Sequence, residues 1–252
     1  MGTVKIANMN LETFNVYTDE SEIFVTPEKD YEFIEVLGLN GRLTIDNHRF
    51  KDVTLPINCF IRKNFARNYT NLMNFLLGLD GYAPIELSND LNHIRYGLFY
   101  NAVRADTGSF NKSGHFTLNF NCKPQRYIAN VAPIVIEQSG YYLYSYNDFE
   151  TKPIITFYGN GSFKIEGGSE ILGTFKSFTV TVSGRIEESA KAGVIIDCEQ
   201  MACYNLDYTN ASSDVRLYNG FPVLSAGRNE VTYDSDSEET DKMIIQPRWW
   251  EI

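Results

Sequence analysis

Apolar and polar residues alternate over short stretches along most of this chain, with turn-forming residues between the stretches. Residues 115–122 are the clearest case, because Phe116, Leu118 and Phe120 fall on one face and polar residues on the other. Alternation with a period of two is typical of β-strands that are buried on one side. The sequence therefore predicts a mainly β protein.

One segment departs from this period. Over residues 70–79 the apolar positions recur at three- and four-residue intervals, which predicts an α-helix. Thr70 or Asn71 is placed to cap its start, and Asp80-Gly81 to end it. An apolar stripe on one short helix is typical of packing against a sheet. The predicted stripe consists of Leu72, Phe75, Leu76 and Leu79.

Residues 31–57 predict a β meander. A strand through 31–37 leads to Asn40-Gly41, a dipeptide that favours the tight hairpin turn with positive φ at both central positions. A returning strand follows, and Asp46-Asn47-His48 is expected to form the next turn. A catalytic role for Asp46 and His48 needs a nearby nucleophile or metal, and the local sequence supplies neither.

The second half of the chain is predicted to be a separate all-β domain. After residues 128–140 the helical pattern stops and short strands follow one another with glycine-rich turns between them, as in a β-sandwich or jelly roll. We expect domains at 1–128 and 129–252. The predicted strands of the second are 134–138, 152–159, 162–167, 175–184, 194–199, 202–207, 215–220, 229–234 and 243–250.

Charge differs between these halves. Residues 1–128 carry 13 Lys/Arg and 14 Asp/Glu, a net −1, whereas residues 129–252 carry 9 and 18, a net −9. A strongly acidic half without a basic stripe repels phosphate backbones, so specific nucleic-acid binding is not expected. No apolar run is long enough for a transmembrane span, and the first residues lack the pattern of a secretory signal. We therefore expect synthesis in the cytoplasm, no membrane association and reduced cysteines.

The sequence offers few residues in patterns typical of catalysis, cofactor binding or metal binding. No nucleophile elbow, phosphate-binding loop, dinucleotide fingerprint or zinc motif occurs in the sequence. Glycoside hydrolysis needs only two carboxylates, and Glu187-Glu188 or Asp197 with Glu199 are the candidates. The acidic run 234–241 resembles a solvated loop more than a calcium site, because it lacks the glycine and final glutamate of an EF-hand. We expect no enzyme activity, no cofactor and no metal.

The order of features resembles a known family over nearly the whole chain. The segment 114–127 with Lys123-Pro124 and Tyr127, the segment 221–229 with Gly227-Arg228-Asn229, and the ending Pro247-Arg248-Trp249-Trp250 are its most telling parts. In this arrangement the chain resembles the distal tail protein, Dit, of long-tailed non-contractile bacteriophages.

The resemblance implies a structural hub at the virion tail tip. Relatives form a homo-hexameric ring through a leading β domain with one short helix, the ring or belt domain, and the ring continues the tail tube. A galectin-like β-sandwich follows and holds peripheral adsorption or receptor-binding proteins. Other implied partners are the tail tube protein and the tape-measure or tail-associated tip protein, and DNA passes through the ring without being specifically bound.

Two further expectations concern the surface that forms the ring and the alternative functions of the chain. The hairpin tip formed by Gly38, Leu39, Asn40 and Gly41 is the candidate ring interface. A carbohydrate-binding β-sandwich module is the alternative function, and an enzyme acting on cell-wall sugars is a further one. A closed ring requires a surface that docks head to tail on a copy of itself, which exposed β elements can supply.

Overall fold

The computed structural model describes residues 3–19, 21–108, 112–145, 147–168, 173–186, 189, 191–237 and 242–252. These residues fall into two compact units. The first comprises the described residues up to Ala129 together with Ile252, and the second runs from Asn130 to Glu251.

The first unit contains ten described strands and one α-helix. They are β1 (Val4–Ile6), β2 (Met9–Asn10), β3 (Val16–Asp19), β4 (Lys29–Glu35), β5 (Arg42–Phe50), β6 (Val53–Ile61), α1 (Phe65–Leu77), β7 (Ala83–Leu87), β8 (His93–Leu98), β9 (Asp106–Thr107) and β10 (Gly114–Ile128). Most of these strands form one antiparallel sheet in the order β2-β1-β7-β8-β10-β6-β3, with β9 also paired to β10. Strands β4 and β5 form a separate two-stranded hairpin.

The centre of the sheet follows from the alternation in the sequence. Strands β6 and β10 pair from Gly114 with Ile61 to Cys122 with Val53, and this register places their apolar positions on the same face. Leu118 and Phe120 are fully buried there, as the pattern predicted. Burying each such side chain contributes about 1.5–3 kcal/mol to folding.

The helix is confirmed in type, but it begins and ends earlier than predicted: it ends at Leu77 with Gly78 as its C-cap, so Asp80-Gly81 lies beyond it. It starts at Phe65 after Asn64, which has a left-handed conformation and makes no side-chain capping bond, so the proposed caps Thr70 and Asn71 lie inside the helix. Leu72 and Leu76 are fully buried in the core of the unit, as the stripe predicted. The early start went undetected because Phe65, whose ring stacks on Tyr69, is the sole buried residue of the first turn.

The predicted turns of the meander are wrong in detail. Strands β4 and β5 pair from Glu35 with Arg42, so the connection is a six-residue loop, 36–41, and not a two-residue Asn-Gly turn. Positive φ angles occur at Gly38 and Gly41 but not at Asn40. Residues 46–48 lie inside β5, where His48 has φ 53° and the register shifts to form a bulge.

Among its described residues, the second unit contains eleven strands. They are β11 (Ile134–Ile136), β12 (Tyr141–Ser145), β13 (Ile154–Tyr158), β14 (Gly161–Gly167), β15 (Lys176–Val182), β16 (Gly193–Asp197), β17 (Ala202–Asn205), β18 (Val215–Tyr218), β19 (Gly227–Ser235), β20 (Met243–Gln246) and β21 (Trp250–Glu251). Ten of them form two antiparallel sheets, in the orders β11-β20-β13-β16-β17 and β12-β19-β14-β15-β18.

The inner faces of these two sheets share one hydrophobic core. Phe157 from the first sheet and Phe163 from the second contact each other with ring centroids 5.3 Å apart, and both are fully buried. Two antiparallel sheets packed through alternating apolar residues are a β-sandwich, so the predicted fold class is confirmed. Strand β12 was missed because its tyrosines, at Tyr141, Tyr142 and Tyr144, are exposed on both sides of the strand.

Candidate functional site

The hairpin β4–β5 has no strand partner other than itself among the described residues. Its two strands pair in register, with Ile34 opposite Leu43 and Phe33 opposite Thr44. Neither strand contains a buried residue, which is unusual for a hairpin of this length. A two-stranded hairpin that packs on nothing is marginally stable in water, so this one is expected to gain stability by contact with another surface.

Apolar side chains are concentrated at the loop of this hairpin. We call residues 36–41 the hairpin tip. Leu37 is fully exposed there, and Val36 and Leu39 are about half exposed. Next to the tip, Ile34, Leu43 and Ile45 are also exposed and lie on one face of the paired strands. The hairpin therefore presents several large apolar side chains to solvent at its tip and on one face.

Ion pairs and hydrogen bonds join the two strands of the hairpin at both of its ends. Glu35 pairs with Arg42 at 3.0 Å beside the tip, and Asp30 accepts a hydrogen bond from Arg49 Nε at 2.7 Å at the other end. The Arg49 hydrogen bond lowers the pKa of Asp30. The Asp46 carboxylate accepts a hydrogen bond from the His48 backbone amide at 2.7 Å, which stabilises the bulge. Local polar contacts therefore present the apolar residues to solvent.

The structure brings the four predicted interface residues together. Gly38, Leu39, Asn40 and Gly41 all lie in the hairpin tip and are exposed. The sequence reasoning missed Leu37 and the apolar face formed by Ile34, Leu43 and Ile45. One signal was available: residues 33, 34, 36 and 37 are all apolar, so both sides of the predicted strand carry apolar residues and a one-sided core does not explain them.

The histidines do not form a catalytic arrangement. His48 is exposed and its ring lies 3.8 Å from Asp46, with no nucleophile beside it. His93 begins β8, and its Nδ1 lies 2.6 Å from Asp90. Arg126 holds the other Asp90 oxygen at 3.2 Å. Paired in this way, Asp90 and His93 connect a loop to β10 and serve the packing of the unit.

Of the two carboxylate pairs considered for hydrolysis, Asp197 and Glu199 both lie beside Arg248. Asp197 accepts two hydrogen bonds from Arg248, each 2.7 Å long, and Arg248 also lies 3.5 Å from Glu199. Burial raises the pKa of Asp197, but the bonds from Arg248 and from two backbone amides outweigh burial and hold that pKa below its ordinary value. A general acid needs a raised pKa, so Asp197 is unsuited to that role. Glu187 and Glu188 lie outside the described residues.

Cysteines and acidic residues form no metal site in the described ranges. All four cysteines are free and buried, and burial raises the pKa of the thiols of Cys59 and Cys122 to about 12. No group of three or more His, Cys, Asp or Glu side chains is placed to hold an ion among the described residues. In the acidic run, Asp236 binds the backbone and side chain of Asn160, while 238–241 lie outside the described residues.

No helix in the described ranges is long and apolar enough to cross a membrane.

The segments that carry the family resemblance all have structural roles. Lys123 lies over the rings of Tyr82 and Tyr96, 5.5 and 5.7 Å from their centroids, where β10 bulges. Asn229 is fully buried and its side chain exchanges hydrogen bonds of 2.8 and 2.9 Å with the backbone of Ser225. Arg248 binds Asp197, as described above. These motifs shape turns and strand ends, which explains why none looks catalytic.

Solved structures of two phage proteins resemble this chain over nearly its full length. The crystal structure of the phage SPP1 Dit protein (gp 19.1), described as a paradigm of the hub adsorption apparatus in phages that infect Gram-positive bacteria, matches with a TM-score of 0.70 at 14% identity, covering 98% of both chains. The chain has the Dit fold. A chain from the baseplate of phage p2 in its activated conformation with Sr matches with a TM-score of 0.53 at 9% identity, covering 98% of this chain and 97% of that one. No protein-family model and no curated protein sequence matches the chain.

The Dit fold confirms the resemblance inferred from the sequence at the level of architecture. It spans both units, so neither is an addition to the fold. At 14% and 9% identity the match rests on the course of the backbone and not on shared side chains. What this chain does with the fold has to be argued from its own surfaces.

Proposed function

We propose that this chain is a distal tail protein of a long-tailed bacteriophage, a structural hub at the tail tip and not an enzyme. Its first unit forms a homo-hexameric ring that continues the tail tube, and its second unit anchors peripheral host-adsorption proteins. The observation that carries the proposal is the full-length match to a phage hub protein, together with an exposed apolar hairpin that a monomer does not use.

The hairpin tip supports ring closure. A heterologous contact, in which one surface of each copy binds a different surface of the next, generates a ring when the rotation closes. Leu37, Leu39 and Val36 supply an apolar knob for such a contact. Full burial of a leucine side chain contributes about 1.5–3 kcal/mol, so the knob alone supplies several kcal/mol at each of the contacts around the ring.

The division of charge supports different roles for the two units. The sequence up to residue 128 is nearly neutral and can self-associate without strong repulsion, whereas the later sequence has a net charge of −9. Acidic modules crowded together repel one another. We therefore place the second unit at the periphery of the ring, and this placement rests on electrostatics.

An aromatic patch on the second unit is the proposed docking site for a peripheral protein. Strand β12 is an edge strand, and Tyr142 and Tyr144 are exposed on its outer face. The guanidinium of Arg228 lies 3.7 Å from the ring centroid of Tyr142 and pairs with no carboxylate among the described residues. Tyrosine and arginine are the residues enriched in binding hot spots, and an unpaired edge offers backbone hydrogen bonds to an added strand.

In this proposal the tail tube protein lies on one side of the ring and the tape-measure or tail-associated tip protein on the other. DNA passes through the ring without specific binding, since neither half of the sequence has a net positive charge. The protein would be made in the cytoplasm of the bacterial host and end in the virion. The carbohydrate-binding module remains the competing hypothesis, but it gives no reason for the apolar hairpin.

Native mass spectrometry and negative-stain imaging of the purified protein test the ring. We expect a hexamer with a central opening, and Leu37→Asp should reduce it to monomers because a charge in a buried contact is strongly unfavourable. Met201→Asp is the matched control, since Met201 is a large exposed apolar residue of the second unit and its replacement should leave the ring intact.

Two results would contradict the hub proposal. The first is a monomeric wild-type protein even in the presence of its tail tube partner. The second is a monomer that binds cell-wall polysaccharide with a loss of binding in Tyr144→Ala, which would support the carbohydrate-binding module instead. A ring that is unaffected by Leu37→Asp would contradict only the role of the hairpin tip as the ring contact.

A further inference from the structure

Three Asn-Gly dipeptides occur in the chain, at residues 40–41, 160–161 and 219–220. Asn-Gly is the pair most prone to spontaneous deamidation, because glycine has no side chain to hinder attack by its backbone nitrogen on the asparagine amide. The three sites share this local chemistry. Differences between them therefore come from the tertiary structure.

Two of the three asparagine side chains are held in place. Asn160 Nδ2 donates to Asp236 at 3.0 Å, and its Oδ1 accepts from the Arg185 backbone amide at 2.8 Å. Asn219 Nδ2 donates to the backbone oxygen of Ser177 at 2.9 Å. Either side chain has to break these bonds before its amide carbon can approach the following nitrogen.

Asn40 differs from both. It is exposed in the hairpin tip, and its side chain makes no hydrogen bond to any described residue. The space beside Gly41 is open, with no atom within 4 Å of the position a Cβ would occupy, and the same is true of Gly220, whereas at Gly161 the backbone oxygen of Asp234 lies close to that position. Asn40 therefore differs from Asn160 in both respects and from Asn219 in its free side chain. The side chain and the nucleophilic backbone nitrogen at 40–41 are thus both unobstructed.

We propose that Asn40 is a site of spontaneous deamidation and that its modification reports whether the hairpin tip is covered. The backbone nitrogen of Gly41 attacks Cγ of Asn40, the N–Cγ bond forms, and the Cγ–Nδ2 bond breaks. Nδ2 leaves as ammonia with the proton of the Gly41 amide. Water then opens the resulting succinimide at either carbonyl and yields aspartate or isoaspartate, with no change in oxidation state.

The modification changes the properties of the tip. Either product places a carboxylate within an apolar surface that already has Glu35 beside it, and isoaspartate also lengthens the backbone of the loop by one methylene. A newly charged tip has to be desolvated in order to bind an apolar surface. Subunits modified before assembly are therefore expected to lose the contact. This second part of the inference rests on the proposed ring.

Ageing the wild-type protein at pH 8 and 37 °C, followed by proteolysis and mass spectrometry, tests the first part. Deamidation of Asn40 in subunits below the assembly concentration should be at least about tenfold faster than at Asn219, the factor that corresponds to one hydrogen bond of about 1.4 kcal/mol. Asn160, with more bonds, should be slower still. Equal rates at the three sites, or a slower rate at Asn40, would overturn the assignment.

The second part has a separate readout. In the assembled ring the rate at Asn40 should fall about tenfold or more while the rate at Asn219 is unchanged, and aged wild-type subunits should form fewer rings than aged Asn40→Gln subunits. If Asn40 reacts rapidly in single subunits and equally rapidly in the ring, the chemical assignment stands and the tip is not the ring contact. If it stays intact in single subunits, the assignment itself is wrong.

Discussion

Removal of the guanidinium that binds Asp197 is the sharpest test of how the second unit is held together. The side chain of Asp197 is 8% exposed and that of Arg248 is 22% exposed, and two parallel hydrogen bonds of 2.7 Å join them. Arg248→Met keeps the length of the aliphatic stem, and of the described residues it leaves the backbone amides of Glu199 and Gln200 as the hydrogen-bond donors to the carboxylate. Losing one partner of a buried pair costs about 3–5 kcal/mol, and the partial exposure of Arg248 lowers our expectation to roughly 2–3 kcal/mol.

Tryptophan fluorescence during urea unfolding measures this loss in the relevant unit. Trp249 and Trp250 are the only tryptophans in the sequence, and Trp250 is buried against Phe149 with ring centroids 4.5 Å apart. The matched control is Arg216→Met, because Arg216 is exposed on β18 and makes no ion pair with a described residue. It should change the free energy of unfolding by less than about 0.5 kcal/mol.

The pH dependence of stability tests the same ion pair. The pKa of Asp197 is lowered in the folded protein, so its contribution to stability is complete above the unfolded pKa of about 3.9 and is lost as pH falls through the lower folded value. In Arg248→Met, burial of Asp197 is no longer offset by the Arg248 guanidinium, so the pKa of Asp197 in the folded protein rises. Acid unfolding of this variant should therefore begin at a higher pH. Equal stability of Arg248→Met and Arg216→Met at pH 7 would refute the reasoning.

Other predictions follow from the same physical arguments. Phe163→Ala removes a fully buried ring from the centre of the sandwich and should cost about 3–5 kcal/mol, measured by the same fluorescence assay. Cys59 and Cys122 should not react with a thiol reagent at pH 8 in the native protein, since burial raises the pKa of each to about 12, and rapid native labelling would contradict this. Leu37→Asp should leave the midpoint of thermal unfolding of the isolated subunit within about 2 °C, because Leu37 contacts no core, and a large decrease would show that the hairpin supports the fold of its own subunit.

Much of the fold could be predicted from local patterns. The strand predicted from the alternation over residues 115–122 lies within β10, which runs from Gly114 to Ile128, because regular alternation leaves little ambiguity about a strand. Short strands with weaker patterns, such as β1 and β3, were not predicted. The position of the hairpin tip was also predicted, since Asn40-Gly41 marks a chain reversal whatever the exact loop length.

The tertiary structure decided everything that depends on residues distant in sequence. Arg126 reaches Asp90 from β10, 36 positions away in sequence, while His93 contacts the other oxygen of the same carboxylate. Asp197 and Arg248 are 51 positions apart, and no local signal links them. Pairings of this kind depend on sheet register and packing, which a local pattern does not encode.

By itself, the sequence determined the class of the protein: mainly β, with one helix, a change of character near residue 129 and an uneven division of charge. These properties follow from periodicity and composition, which neighbouring residues specify on their own. Only the tertiary structure decided which apolar residues stay outside the core. Phe33 and Leu43 have the same pattern as buried residues of β6, and they are exposed because the sheet of the first unit is completed without β4 and β5. Exposure is a property of the whole packing arrangement, which explains why the sequence indicated the tip at Gly38 to Gly41 but not the exposed apolar face beside it.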